Sequence, residues 1–90
     1  MENSTLAIVV PCYNEEEVLP MTNKHLNALL DGMLRDRLVG QGSYILYVND
    51  GSLDRTWELI ETYCQDNTHV RGLKLAGNVG IYRLECFTKR

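Results

Sequence analysis

The stretch "LAIVVPCYNEEEVLP", Leu6 to Pro20, decides the fold. Leu6 to Val10 is a continuous apolar run rich in β-branched side chains. It ends at Pro11, which cannot donate to a ladder. Such a run predicts a strand buried on both faces. Beyond the acids Glu15, Glu16 and Glu17 the periodicity becomes helical. Leu19, Leu26, Leu29, Leu30, Met33 and Leu38 form an apolar stripe, and Asn23, Lys24, Asp31 and Arg35 mark the opposite face. The acids stand at the helix entrance, where the positive end of the dipole favours them. Pro20 is acceptable in a first turn.

Working outward, "GQGS" reads as a loop and Tyr44 to Val48 as a second apolar strand. The turn "NDGSLD" follows. Thr56 to Gln65 predicts a second helix, with Trp57, Ile60, Tyr63 and Cys64 on one face and Ser52 or Asp54 as its cap. "NTH" breaks it, and Val70 to Leu75 reads as a third strand. The order βαβαβ predicts an α/β fold, a Rossmann-like parallel sheet with right-handed crossovers and helices on its faces. Each polar turn follows a strand. Both therefore fall outside the carboxyl ends, where open α/β sheets bind ligands.

Composition sets the class. The 90 residues allow one small domain, which buries about two-thirds of the surface its unfolded chain exposes. An apolar fraction of 44% and a charged fraction of 23% are those of an ordinary globular chain. A net charge of -3 with no basic block argues against nucleic-acid binding. Cys12, Cys64 and Cys86 are far apart and form no C-x-x-C, which predicts reduced thiols in a cytoplasmic protein. No stretch approaches the roughly 20 apolar residues of a membrane span, and the N-terminus has no signal-peptide pattern.

Two clusters can carry chemistry. Pro11, Tyr13, Asn14 and Glu15 follow the first strand; Asn49, Asp50, Gly51, Ser52 and Asp54 follow the second. Side by side they offer an aromatic face, amides and carboxylates, which suits a nucleoside. A carboxylate accepts a base N–H or bridges two ribose hydroxyls, and Tyr13 gives a base a flat surface. Gly51 lets the backbone approach a ligand closely. The plainer readings are helix-start acids, preferred for Glu16 and Glu17, and a turn running into a cap for "DGS". Other motifs fail. Gly72 and Gly77 have P-loop spacing, but Asn78 stands where the lysine belongs. A calcium loop aligned on Gly51 puts Leu46 and Val48 at ligand positions. His25 and His69 have no partner at ligand spacing, and Trp57 and Tyr63 read as core. No serine or cysteine has a visible base, so no catalytic residue is assigned.

"IVVPCYNEEEVLP", "YVNDGSLDRTWELI" and "VRGLKLAGNVG" together resemble the start of family 2 glycosyltransferases. The branch that glycosylates polyprenyl phosphate, such as dolichyl-phosphate mannose synthases and bactoprenol glucosyltransferases, is the most similar. The resemblance covers Leu6 to Gly80. It implies the N-terminal, nucleotide-binding half of a GT-A fold over residues 1–80, with residues 81–90 as an atypical tail. It implies that Pro11, Tyr13, Asn14, Glu15, Asn49, Asp50, Gly51, Ser52, Asn78 and Gly80 line the site of a UDP- or GDP-sugar. Asn49 replaces the family's first aspartate of the turn. A magnesium or manganese ion is expected in the full-length enzyme, but the D-x-D ligands and the acceptor-activating base are not in "IYRLECFTKR". The expectation is a truncated, inactive piece of a cytoplasmic enzyme acting at the inner membrane face. It would be homodimeric through its first strand unless the tail pairs there. The alternative is a flavodoxin-like binding module without catalysis.

Overall fold

The computed structural model describes residues 4–75 and 82–86. β1 (Ala7–Cys12) leads through α1 (Leu19–Arg35) to β2 (Tyr44–Asn49), and α2 (Thr56–Asp66) leads to β3 (Val70–Leu75). The three strands are parallel and lie in the order β1-β2-β3. This is the Rossmann-like α/β unit expected of the N-terminal half of a GT-A fold. β4 (Tyr82–Cys86) pairs antiparallel with β3 and completes a four-stranded sheet. Residues 82–86 of the tail thus join the β3 edge, whereas the pairing expected for the tail is with β1. β1 keeps an outer edge with no partner strand among the described residues.

Both helices pack on one face of the sheet, not on two. Two successive crossovers in the same direction and of the same hand return to the same side. Ile8 and Val10, Ile45 and Tyr47, and Val70 and Gly72 share the helix-facing parity through the parallel register. Leu19, Leu30, Ile60 and Cys64 close the core over them. The other face carries Ala7, Val9 and Pro11, then Leu46, Val48 and Leu73. β1 is therefore half-buried with alternating exposure, and Val9 is 57% exposed, against the expectation of burial on both sides. On that open face the Arg71 guanidinium lies 4.0 Å over the Tyr44 ring.

α1 holds Pro20 in its first turn, as its φ allows. Leu19, Leu26, Leu30 and Met33 face the core, while Leu29 and Leu38 are exposed and leave the anticipated stripe. Asn23, placed by periodicity on the polar face, instead accepts a hydrogen bond from the buried Tyr47 hydroxyl at 2.7 Å. A buried phenol needs such a partner. The helix ends with Arg37 at φ 61. Leu38 N–H donates to the Met33 carbonyl and Arg37 N–H to the Leu34 carbonyl, a Schellman pattern with arginine in the usual glycine place.

Candidate functional site

The carboxyl ends of β1 and β2 lie side by side. Cys12 is in register with Asn49, and Asp50 N–H donates to the Cys12 carbonyl at 2.9 Å. The two turns that leave these strands are therefore neighbours. Six hydrogen bonds join them across about 40 residues of sequence. Asn14 N–H donates to Ser52 Oγ at 2.9 Å, and Leu53 N–H donates to Asn14 Oδ1 at 2.8 Å. Glu15 N–H donates to Thr56 Oγ1 at 2.9 Å. Glu16 N–H donates to Asp54 Oδ2 at 3.2 Å, and Arg55 N–H returns a bond to Glu16 Oε1 at 3.0 Å. Asp50 N–H to the Cys12 carbonyl is the sixth.

Asp54 stands just before Arg55, the N-cap of α2, and its Oδ1 accepts from the Thr56 N–H at 2.9 Å and from the Thr56 hydroxyl. These bonds, the Thr56 hydroxyl first, hold the Asp54 carboxyl below its ordinary value. Neither residue anticipated as the cap of α2 takes that position, which is Arg55's; Asp54 binds the Thr56 amide from one residue further out, and Ser52 binds the other turn. Ahead of α1, the Glu15 carbonyl accepts from Val18 N–H and Leu19 N–H. The acids thus occupy a turn before the helix, and none lies in its first turn.

The structure brings most of the anticipated site residues to this edge. Tyr13 is 55% exposed, and Pro11, Asn14, Asp50 and Gly51 are also at the surface. Gly51 has φ 73, a conformation that favours glycine. Asn14 has φ 52, which asparagine tolerates better than most residues. Glu15 is half-buried and lines two hollows. One is an open cleft of about 480 Å³ bounded by Asn14, Glu15, Glu16, Glu17, Val18 and Asp54. The other, about 120 Å³, is more apolar and lies between the end of β1 and the start of α1.

Asn49 stands apart. It is 1% exposed on the helix-facing side, and its Oδ1 has no hydrogen-bond partner. It lies under the turns, not on their surface. Asn78 and Gly80 fall outside the described residues. Cys12 is buried beside Glu15, and burial first, then that carboxylate, push its thiol up to about 11, so it is no nucleophile near neutral pH. Among the described residues no three His, Cys, Asp or Glu side chains converge as a cation's ligand set. No described helix is long and apolar enough to cross a membrane.

Glu16, which reads in sequence as a helix-start acid, and Thr56, which reads there as the first residue of α2, are both engaged between the turns. Ser52, Asp54 and Thr56 alternate as three oxygen-bearing side chains, which is the available sequence signal.

The profile of the family described as Glycosyl transferase family 2 matches residues 7–83. The chain belongs to glycosyltransferase family 2. Among relatives of this family 2 chain, an uncharacterized glycosyltransferase YkoT of Bacillus subtilis (strain 168) is 51% identical over 75 residues, 83% of this chain and 22% of that protein. A dolichyl-phosphate beta-glucosyltransferase ALG5A of Trichomonas vaginalis (strain ATCC PRA-98 / G3) is 37% identical over 76 residues, 83% of this chain and 23% of that protein. The dolichyl-phosphate beta-glucosyltransferase of Homo sapiens is 36% identical over 91 residues, 94% of this chain and 28% of that protein. The family 2 chain thus spans about a quarter of the length of these relatives. No solved structure matches it significantly.

Proposed function

We propose that this chain is the nucleotide-sugar-binding part of a family 2 glycosyltransferase that moves a hexose from UDP or GDP to an acceptor such as polyprenyl phosphate. The observation that carries the reading is the meeting of the β1 and β2 turns at the carboxyl edge, with the Tyr13 ring and the Asp50 carboxylate both at the surface. The ring offers a stacking face, and the carboxylate accepts a uracil or guanine N–H or a ribose hydroxyl. Pro11 and Gly51 keep the approach open, and Asn78 and Gly80 are assigned to the donor side by family resemblance.

The four carboxylates of the larger cleft, Glu15, Glu16, Glu17 and Asp54, repel a diphosphate. The nucleoside end of the donor is therefore the part assigned to this edge. Magnesium or manganese would neutralise the leaving diphosphate in the full-length enzyme. The described residues do not fit such an ion, and they are assigned nucleoside binding alone. The names of the dolichyl-phosphate relatives support a polyprenyl acceptor, and with it a full-length enzyme working at the cytoplasmic face of a membrane. By itself the chain is expected to bind donor and transfer no sugar.

Amide chemical shifts during UDP and GDP titration test the site. Tyr13, Glu15, Asp50 and Gly51 should move together, with an affinity near about millimolar for so open a site. Asp50→Ala should abolish the response and Asp31→Ala, on the exposed side of α1, should preserve it. Shifts confined to the opposite end of the sheet would sink the assignment. Donor consumption above the spontaneous rate, with manganese or magnesium present, would overturn the expectation of no transfer.

A further inference from the structure

We propose that Thr56 and Asp54 are positioning residues: they set the turn that carries Glu15, and nucleotide affinity depends on them although neither touches the nucleotide. The inference rests on the nucleotide reading above. It starts from the proton count at Thr56. This side chain is fully buried, and its hydroxyl has one proton and two near partners. The Glu15 N–H can only donate, so it needs a lone pair of Oγ1. The Asp54 carboxylate can only accept, so it takes the hydroxyl proton. The direction of the relay is therefore fixed: Glu15 N–H to Thr56 Oγ1, and Thr56 O–H to Asp54 Oδ1.

The second oxygen of the same carboxylate takes the next amide, that of Glu16. Asn14 N–H is held by Ser52. Three consecutive amides of the first turn thus end on side chains of the second. The first turn does not set its own course; the start of α2 templates it. The bond back from Arg55 N–H to Glu16 Oε1 makes the template reciprocal. Without the Thr56 hydroxyl, the Glu15 amide loses its acceptor inside a half-buried turn, which is costly, and the turn must move to find water. Glu15 would move with it, and so would Tyr13, two residues before.

The test uses the 90-residue chain and three variants. Thr56→Val keeps the shape and removes the hydroxyl. Thr56→Ser keeps the hydroxyl. Asp54→Asn keeps the size but places an amide where a carboxylate oxygen accepts. Hydrogen exchange at the Glu15 and Glu16 amides is measured with urea stability and with UDP and GDP affinity. Thr56→Val should deprotect Glu15 and weaken nucleotide binding about tenfold at a temperature where the chain is fully folded, the effect of one lost buried acceptor. Thr56→Ser should restore both. Asp54→Asn should deprotect Glu16 as well, and it decides the matter if Thr56→Val does not fold. Retained protection, or lost protection with unchanged affinity, overturns the proposal. Should the wild-type chain bind neither nucleotide, the nucleotide reading falls. The exchange data then decide the positioning role alone: loss in Thr56→Val with rescue in Thr56→Ser upholds it, and unchanged exchange overturns it.

Discussion

Asp54 is the residue on which most at the carboxyl edge depends, because one carboxylate serves the first amide of α2 and the turn after β1 together. Its folded pKa is lowered, chiefly by the Thr56 hydroxyl bond. A group with a depressed folded pKa adds stability above its unfolded value, near about 3.9, and that stability is lost as pH falls through the folded value. The wild-type chain should therefore exceed Asp54→Asn in urea midpoint at neutral pH, and the gap should close below about pH 4. A gap unchanged down to strongly acid pH would show that ionised Asp54 does not hold these bonds. At this scale the sequence was partly legible. Tyr13, Glu15, Asp50 and Gly51 follow from strand ends and turn chemistry. Asp54 was legible as an acceptor at the start of α2, though not as its cap, because that bond is local, two residues from Thr56 N–H. Glu16 was misread as a helix-start acid, since its partners Asp54 and Arg55 are 38 and 39 residues away and only the β1–β2 register brings them near. Asn49 reads in sequence as a turn residue, but strand parity turns it under the sheet edge beside Cys12.

Among the elements, α2 and β3 are joined by a close approach at Gly72. A Cβ there would stand 2.7 Å from Ile60 Cγ2 and 3.2 Å from Trp57 Cη2. Ile60 is fully buried and cannot step aside without moving the helix. Gly72→Ala should destabilise by about 1–3 kcal/mol, the usual cost of overpacking a filled core. Urea denaturation measures it. An unchanged midpoint would mean that α2 rides outward at no cost. In the sequence Gly72 reads as a residue of the third strand and as half of a failed P-loop spacing, and glycine in a strand does not reveal which neighbour it admits. The elements themselves were legible, since "GQGS" and "NTH" separate the apolar runs from the helical stripes, although β1 runs on through Pro11 to Cys12. The faces were not. Whether two helices share a side depends on strand order, and a short apolar run reads alike whether one or both of its faces are covered. That is why β1 was expected to be buried on both sides and α1 to bury Leu29.

For the whole molecule, the sheet is asymmetric in its edges. β4 closes the β3 side, and β1 presents an outer edge to solvent among the described residues. Ala7, Ile8, Val9 and Val10 carry no charge, and the one edge-blunting residue in the strand is Pro11, near its end. With β4 paired to β3, a second copy of the chain can satisfy that edge. Two chains can pair β1 against β1 about a two-fold axis, antiparallel, so that both sheets become one. Such pairing puts the two candidate sites at opposite ends of the joint sheet, so neither turn pair is blocked. We expect the 90-residue chain to sediment as a dimer at micromolar concentration, with slow exchange of the β1 amides. Val9→Lys should shift it to a monomer of nearly unchanged urea stability. Val9 is exposed on the open face, and a lysine there costs no core packing while disfavouring edge-to-edge association. A wild-type monomer whose β1 amides exchange quickly would refute the pairing. A dimer that survives Val9→Lys would move the contact off the β1 edge, and the apolar residues of the open sheet face, Leu46, Val48 and Leu73, would be the next to test.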